Sequence, residues 1–342
     1  MKRILKSRLI WPAAILAALL IFNVILEPTF FNVRVEDGHL FGSLIDLLRD
    51  GAPTILVSLG MTLVVATRGI DLSVGAVVAI AGAVACTIIA GSPDPGSIGT
   101  LAIAVLVAIG TSLILGAWNG LLISVVGIQP IIATLILMTA GRGLAMLITQ
   151  GQIVTVHSAP YKVIGGGYWF ALPASIIIAG VMFAVAALLT RKSALGMLIE
   201  SVGINPAASR LAGVRSRSII WVVYIFSALC SGVAGLMISS SVTAADANTA
   251  GLWIELDAIL AVVIGGTSLA GGRYSLTGTI LGAFIIQTLT TTIYTLGAAP
   301  EITLVFKAAV VTIVCLAQSA AFRSKLKRLV RRRSPQTAGV AK

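Results

Sequence analysis

Apolar runs of near-membrane length, divided by short polar turns, recur along almost the whole of this chain, and few folds can hold them. A run of about twenty residues wound as a helix matches the roughly 30 Å hydrocarbon core of a bilayer. Lipid offers no partner to backbone amides and carbonyls, so each must be paired inside its own segment. Of 342 residues, 58% are hydrophobic and 11% charged, too few charged side chains to cover a soluble core of this size. The expectation is an all-α, polytopic membrane protein, one transmembrane domain over residues 1–342.

The runs read as about ten transmembrane helices: Leu9–Leu26, Pro53–Thr67, Leu72–Ala90, Ile98–Val125, Ile131–Thr149, Pro173–Thr190, Ser218–Ser240, Leu256–Leu269, Ser275–Leu296 and Ile302–Ser319. The second and eighth are short enough to be broken or re-entrant. Lys and Arg outnumber Asp and Glu by 24 to 12. They gather in Met1–Arg8, in Arg191–Arg217 and in the tail Ala320–Lys342, whereas most carboxylates fall in the alternate loops. The positive-inside rule then places both termini and the Arg191–Arg217 loop in the cytoplasm. Basic residues sorted in this way speak for a lipid bilayer and not for nucleic acid as the partner.

Much chemistry is missing. No lysine follows a glycine, so no Gly-x-x-x-x-Gly-Lys loop exists to grip nucleotide phosphates. His39 and His157 lie in outer loops without metal-ligand spacing, and Cys86, Cys230 and Cys315 sit in apolar runs as small hydrophobes. No catalytic residue, metal or cofactor is expected. None of the spans so drawn carries Asp, Glu or His at its middle, which argues against a carboxylate relay and proton coupling. The polar groups left along the spans, Trp118, Asn119, Gln129, Thr134 and Gln287 together with Arg142, are candidates for the pathway of a neutral, hydroxyl-rich solute. Each also suits plain helix packing. Arg142 either snorkels outward or lines that pathway, Lys307 snorkels, and the turn Arg68-Gly69-Asp71 is structural, Asp71 pairing with Arg68 or capping the next helix.

One short helix stands apart inside Arg191–Arg217. Asn205 is placed to cap it, Pro206 fits its first position and Gly213 can end it in a left-handed conformation. Ala207, Ala208 and Leu211 give it an apolar face of two turns. Alone in water it falls below the roughly 12–15 residues that an isolated helix needs. It reads as a docking helix for a soluble partner.

Four segments resemble one known family. Gly69–Gly75 (GIDLSVG), Gln129–Leu135 with Arg142-Gly143 and Thr149–Gly151, Gly203–Gly213 (GINPAASRLAG) and Ala261–Gly272 (AVVIGGTSLAGG) are similar to blocks of the ribose/galactose-type sugar permeases, membrane subunits of bacterial ATP-binding-cassette importers. Asp37–Leu48, Ala140–Thr155 and Ala245–Gly266 most resemble the galactofuranose permeases among them. Arg68 departs from that pattern, which leads one to expect glycine. The resemblance implies a multi-pass inner-membrane subunit paired with a second permease, as homodimer or heterodimer, and fed by a periplasmic sugar-binding protein. It also implies separate ATPase subunits that use ATP and Mg. On the same grounds Gly203, Asn205, Pro206, Ala207, Ala208, Arg210, Leu211 and Gly213 form the coupling helix that docks those subunits, with Arg210 as an anchor. The alternative from another class is an ion-coupled secondary transporter of a small neutral solute.

Overall fold

The computed structural model describes residues 9–297, 302–309 and 312. Met1–Arg8, half of the Ile302–Ser319 run, Cys315 included, and the tail Ala320–Lys342 lie outside the described residues. The chain runs through α1 (Ile10–Leu26), α2 (Ser43–Ala66), α3 (Val74–Ala90), α4 (Ile98–Leu121) with a π turn over Leu122–Val126, and α5 (Pro130–Ile148). It continues through α6 (Ala159–Gly166), α7 (Ala174–Lys192), α8 (Leu195–Ile204), α9 (Pro206–Leu211), α10 (Ser216–Ser241), α11 (Ile254–Ile264) and α12 (Leu276–Thr295). Residues 302–309 are helical as well. Among the described residues six helices are long and apolar enough to cross a membrane, namely α2, α4 with its π turn, α5, α7, α10 and α12.

At the centre of the bundle α10 packs against α2, α3 and α4, and small residues make that possible. A Cβ at Gly235 of α10 would stand 2.4 Å from the Val78 carbonyl oxygen of α3, so the two backbones meet where only glycine fits. The outer helices α4 and α5 instead leave Ile103, Leu106, Ile114, Ile132, Ile136 and Leu147 exposed, as faces turned to lipid or to another subunit require.

Three segments differ from the sequence expectation. The second span is not the short Pro53–Thr67 but a 24-residue helix with Pro53 inside it. Its first turns looked like loop because of Asp46, Arg49 and Asp50. These charges satisfy one another, Arg49 lying 3.1 Å from both carboxylates, and so the helix extends through them. The eighth segment, expected over Leu256–Leu269, is an 11-residue helix over Ile254–Ile264, about 16 Å long, half of what a crossing needs. The Arg191–Arg217 stretch, read as a loop with one helix, contains two. Besides α9, the segment Leu195–Ile204 forms α8 because its Ile199 and Val202 are fully buried against the bundle.

The two ends of the bundle differ in charge. At one end Arg191, Lys192, Arg210, Arg215, Arg217 and Arg273 surround α8 and α9, with Glu200 beside them. The other end gathers Glu36, Asp94 and Asp246 in the connecting segments and Asp46 and Asp50 in the first turns of α2, with short ribbons between those segments. Val154 pairs there with Ala245, and His39 stacks on Tyr168 at 4.5 Å.

Candidate functional site

The basic end is built around α9. The Asn205 side chain accepts from the backbone amides of Ala207 at 3.0 Å and Ala208 at 3.1 Å, and Pro206 fills the first helical position. At the other end of the helix Gly213 has φ of +85°, its amide donates to Arg210 O at 3.0 Å, and the Val214 amide donates to Ser209 O at 2.9 Å. That pair of bonds is the Schellman closure that a left-handed residue permits. The caps inferred from sequence are thus in place. Ser209 alone turns inward. Ala207, Ala208 and Arg210 are exposed, and Leu211 is 92% exposed. The helix therefore presents its apolar face to solvent instead of to its own chain.

Because Asn205 supplies two of the otherwise orphaned amide bonds, Asn205→Ala is expected to cost about 1 kcal/mol of α9 stability. Amide exchange at Ala207 and Ala208 should then quicken about fivefold, while Asn205→Asp should keep wild-type protection. Equal protection in the alanine variant would show that the cap contributes nothing.

What anchors α9 is the joint at its N-terminal side. A Cβ at Gly203 would stand 1.9 Å from Ala66 O and 2.5 Å from the Gly272 amide, so the end of α8 lies directly on the end of α2 and on the turn between α11 and α12. The Gly272 amide in turn donates to Ala66 O at 2.9 Å. Arg68 closes the joint, its Nε donating to Ala270 O at 3.0 Å and its Nη2 to Ile204 O. It makes no ion pair with Asp71.

Asp71 is instead 2% exposed and lies within the bundle. Its Oδ1 accepts from the Ser73 amide at 3.1 Å and hydroxyl at 2.6 Å, and its Oδ2 accepts from the Ser227 hydroxyl of α10 at 2.9 Å. Of the two roles open from sequence, pairing with Arg68 is absent, and in place of capping the first-turn amides of α3, Asp71 braces the turn at Ser73, the residue before that helix, with α10 joining in. Asn119 donates to Ser73 Oγ at 2.8 Å, and the Thr134 hydroxyl lies 3.2 Å from Ile70 O. Two of the pathway candidates are therefore buried ties on the start of α3. The Asp71-x-Ser73 spacing was a readable sign of the turn; nothing in the sequence singled out Ser227.

The remaining candidates scatter. Trp118 is 53% exposed on α4, Gln129 is exposed ahead of α5, and Gln287 lies partly buried beside Gly51 of α2. Arg142 neither snorkels nor stands free, since its Nη1 donates to Ala247 O at 3.0 Å and Ala250 O at 2.6 Å. Asp246 shapes the loop that offers those carbonyls, accepting from the Asn248 amide and the Thr249 hydroxyl, and these bonds hold its carboxyl below the usual range. Carboxylates do lie within the bundle, at the starts of helices and not at the middle of a span. Besides Asp71, Glu255 is 5% exposed at the start of α11, and Asp257 pairs at 2.8 Å with Lys307, which was expected to snorkel. Glu255 had been placed in an outer loop, because nothing nearby in sequence marks Ile254 as the start of α11.

Residues 43–315 match the family model described as the branched-chain amino acid transport system / permease component. The chain belongs to that family. Its members are membrane permease components, not enzymes. This permease is 49% identical over 328 residues to the galactofuranose transporter permease protein of Escherichia coli K12, covering 94% of each chain. It is 40% identical to the fructose import permease protein of Bifidobacterium longum, covering 93% of this chain and 89% of the relative. To the ribose import permease protein of Haemophilus influenzae it is 35% identical, over 86% and 88% of the two chains. No solved structure matches the permease.

Proposed function

We propose that this chain is the transmembrane permease subunit of an ATP-binding-cassette importer and carries a monosaccharide, galactofuranose or a ribose-like sugar, across the bacterial inner membrane. The observation that carries the reading is α9, a capped helix whose apolar face is exposed at the basic end of the bundle while its base is locked to α2 and the α11–α12 turn. A helix of six residues has no stability of its own. Holding one rigid and outward-facing makes physical sense where a second protein grips it. Relatives named as permeases for galactofuranose, fructose and ribose support the substrate class.

In this reading the basic end faces the cytoplasm, in accord with the positive-inside rule. Separate ATPase subunits bind there, hydrolyse ATP with Mg, and move α9 as they close. Asn205, Pro206, Ala207, Ala208, Arg210, Leu211 and Gly213 form the contact, whereas Gly203, expected among them, is buried on the end of α2 and seats the helix. Arg210 reaches an acidic or carbonyl group of the ATPase. A second permease subunit covers part of the apolar faces of α4 and α5, and a periplasmic binding protein delivers sugar to the acidic end. Trp118, Gln129, Arg142 and Gln287 remain the pathway candidates with exposed or partly exposed surface.

The test is reconstitution in proteoliposomes with and without the ATPase and the binding protein, using radiolabelled galactose, ribose and fructose as probes. Accumulation of one of them only with MgATP and all subunits is the expected result. Uphill uptake by this chain alone on a proton or sodium gradient would overturn it in favour of ion-coupled transport.

A further inference from the structure

We infer that Arg68 is the strap that transmits displacement of α9 into the bundle, a positioning residue for transport that acts by holding three chain segments to one point. The inference rests on the docking role of α9 proposed above. Arg68 follows directly on α2, and its guanidinium bridges Ile204 O, one residue before the Asn205 cap, and Ala270 O in the α11–α12 turn. A planar guanidinium holding two carbonyls fixes their relative position, which a flexible ammonium cannot do. The backbone of Arg68 is left-handed, with φ of +66°, a conformation strained for any residue but glycine because Cβ crowds the following carbonyl oxygen. The side chain is exposed, so no packing inside the bundle requires arginine. Its two carbonyl bonds are what an arginine at this strained position gains over glycine.

The strap also has somewhere to send a displacement. Between Arg68 and α3 lies a short unwound segment pinned at Ile70 O by Thr134 of α5 and at Asp71 by Ser227 of α10. Movement of the coupling helix thus reaches α3, α5 and α10 through five residues of chain, 69–73, and reaches α11 and α12 through Ala270. Neither route requires α9 to touch those helices.

The experiment uses the full complex, purified with its ATPase subunits through a tag on this chain, and reads amide exchange with and without MgATP and vanadate. Arg68→Gly removes both strain and strap, Arg68→Ala removes only the strap, and Arg68→Lys keeps the charge. In the wild type, nucleotide should change exchange both in residues 203–213 and in residues 268–273. In the glycine and alanine variants the response at 203–213 should persist and that at 268–273 should be lost, with partial recovery in the lysine variant. A retained response at 268–273 in both the glycine and alanine variants overturns the strap. Loss in the alanine variant alone assigns the effect to backbone strain and also overturns it. No response at 203–213 in the wild type would instead remove the docking reading beneath it. Because glycine relieves the left-handed residue and leaves both carbonyls open to water, Arg68→Gly is expected to fold and assemble as the wild type does.

Discussion

Ala208→Glu and Leu211→Asp are each expected to abolish sugar uptake while the protein still inserts and accumulates at wild-type levels. The argument turns on where these side chains point. Leu211 is 92% exposed and Ala208 is also exposed, so neither substitution opens a cavity or buries a charge within this chain, and the cost to its own fold should stay within about 0.5 kcal/mol. Ala208 occupies the third helical position after the Asn205 cap, where a glutamate can reach back to the cap amide and suits the helix dipole. Ala208→Glu should therefore hold α9 at least as well as the native residue does. Against a partner surface the same change places a charge in an apolar contact. Disrupting a central contact of that kind costs about 2–4 kcal/mol, or roughly thirtyfold to a thousandfold in affinity. The measurement is co-purification of the ATPase with each variant, beside uptake in cells. Wild-type co-purification and uptake in both variants would remove the docking surface from α9.

The second large effect is expected from Asp71→Ala. It leaves the Ser73 amide, the Ser73 hydroxyl and the Ser227 hydroxyl without their acceptor, at a site where the carboxylate was 2% exposed. Each buried donor left unpaired costs about 1–3 kcal/mol, less where a hydroxyl can rotate to another acceptor. A total of roughly 3–4 kcal/mol is a large part of the 5–15 kcal/mol that holds a typical protein folded. The thermal midpoint of the detergent-solubilised protein should fall on the order of 10 °C. Ser227→Ala removes one bond and leaves Ser73 to satisfy the carboxylate, so its drop should be about a third as large. An Asp71→Ala protein that melts with the wild type would show that the network contributes no stability.

Several elements were legible in the sequence because they depend on neighbours along the chain. The caps of α9 are local chemistry: an amide side chain accepting from the next turn, proline where no amide bond is needed, and glycine where φ is positive. Length and apolar content picked out the six runs that form, among the described residues, helices long enough to cross a membrane but did not separate them from the other four of the ten expected. The sorting of Lys and Arg from Asp and Glu gave the two ends of the bundle. Misreadings were of two kinds, one within a few residues of chain and one between distant segments. Asp46, Arg49 and Asp50 looked like loop until their mutual pairing let α2 run through them. Glu255 looked like an outer-loop residue because nothing local marks Ile254 as the start of α11.

What the sequence determined by itself was the class of the molecule, a helical membrane protein with a capped helix among basic residues. These properties are sums over composition or bonds between near neighbours. Only the tertiary structure decided that Asp71 turns inward to Ser227 while Arg68, three residues earlier, reaches outward to Ile204 and Ala270. Those bonds close loops of more than a hundred residues. Which of many similar serines and carbonyls meets a given charge is fixed by the packing of whole helices, which no short stretch of sequence encodes.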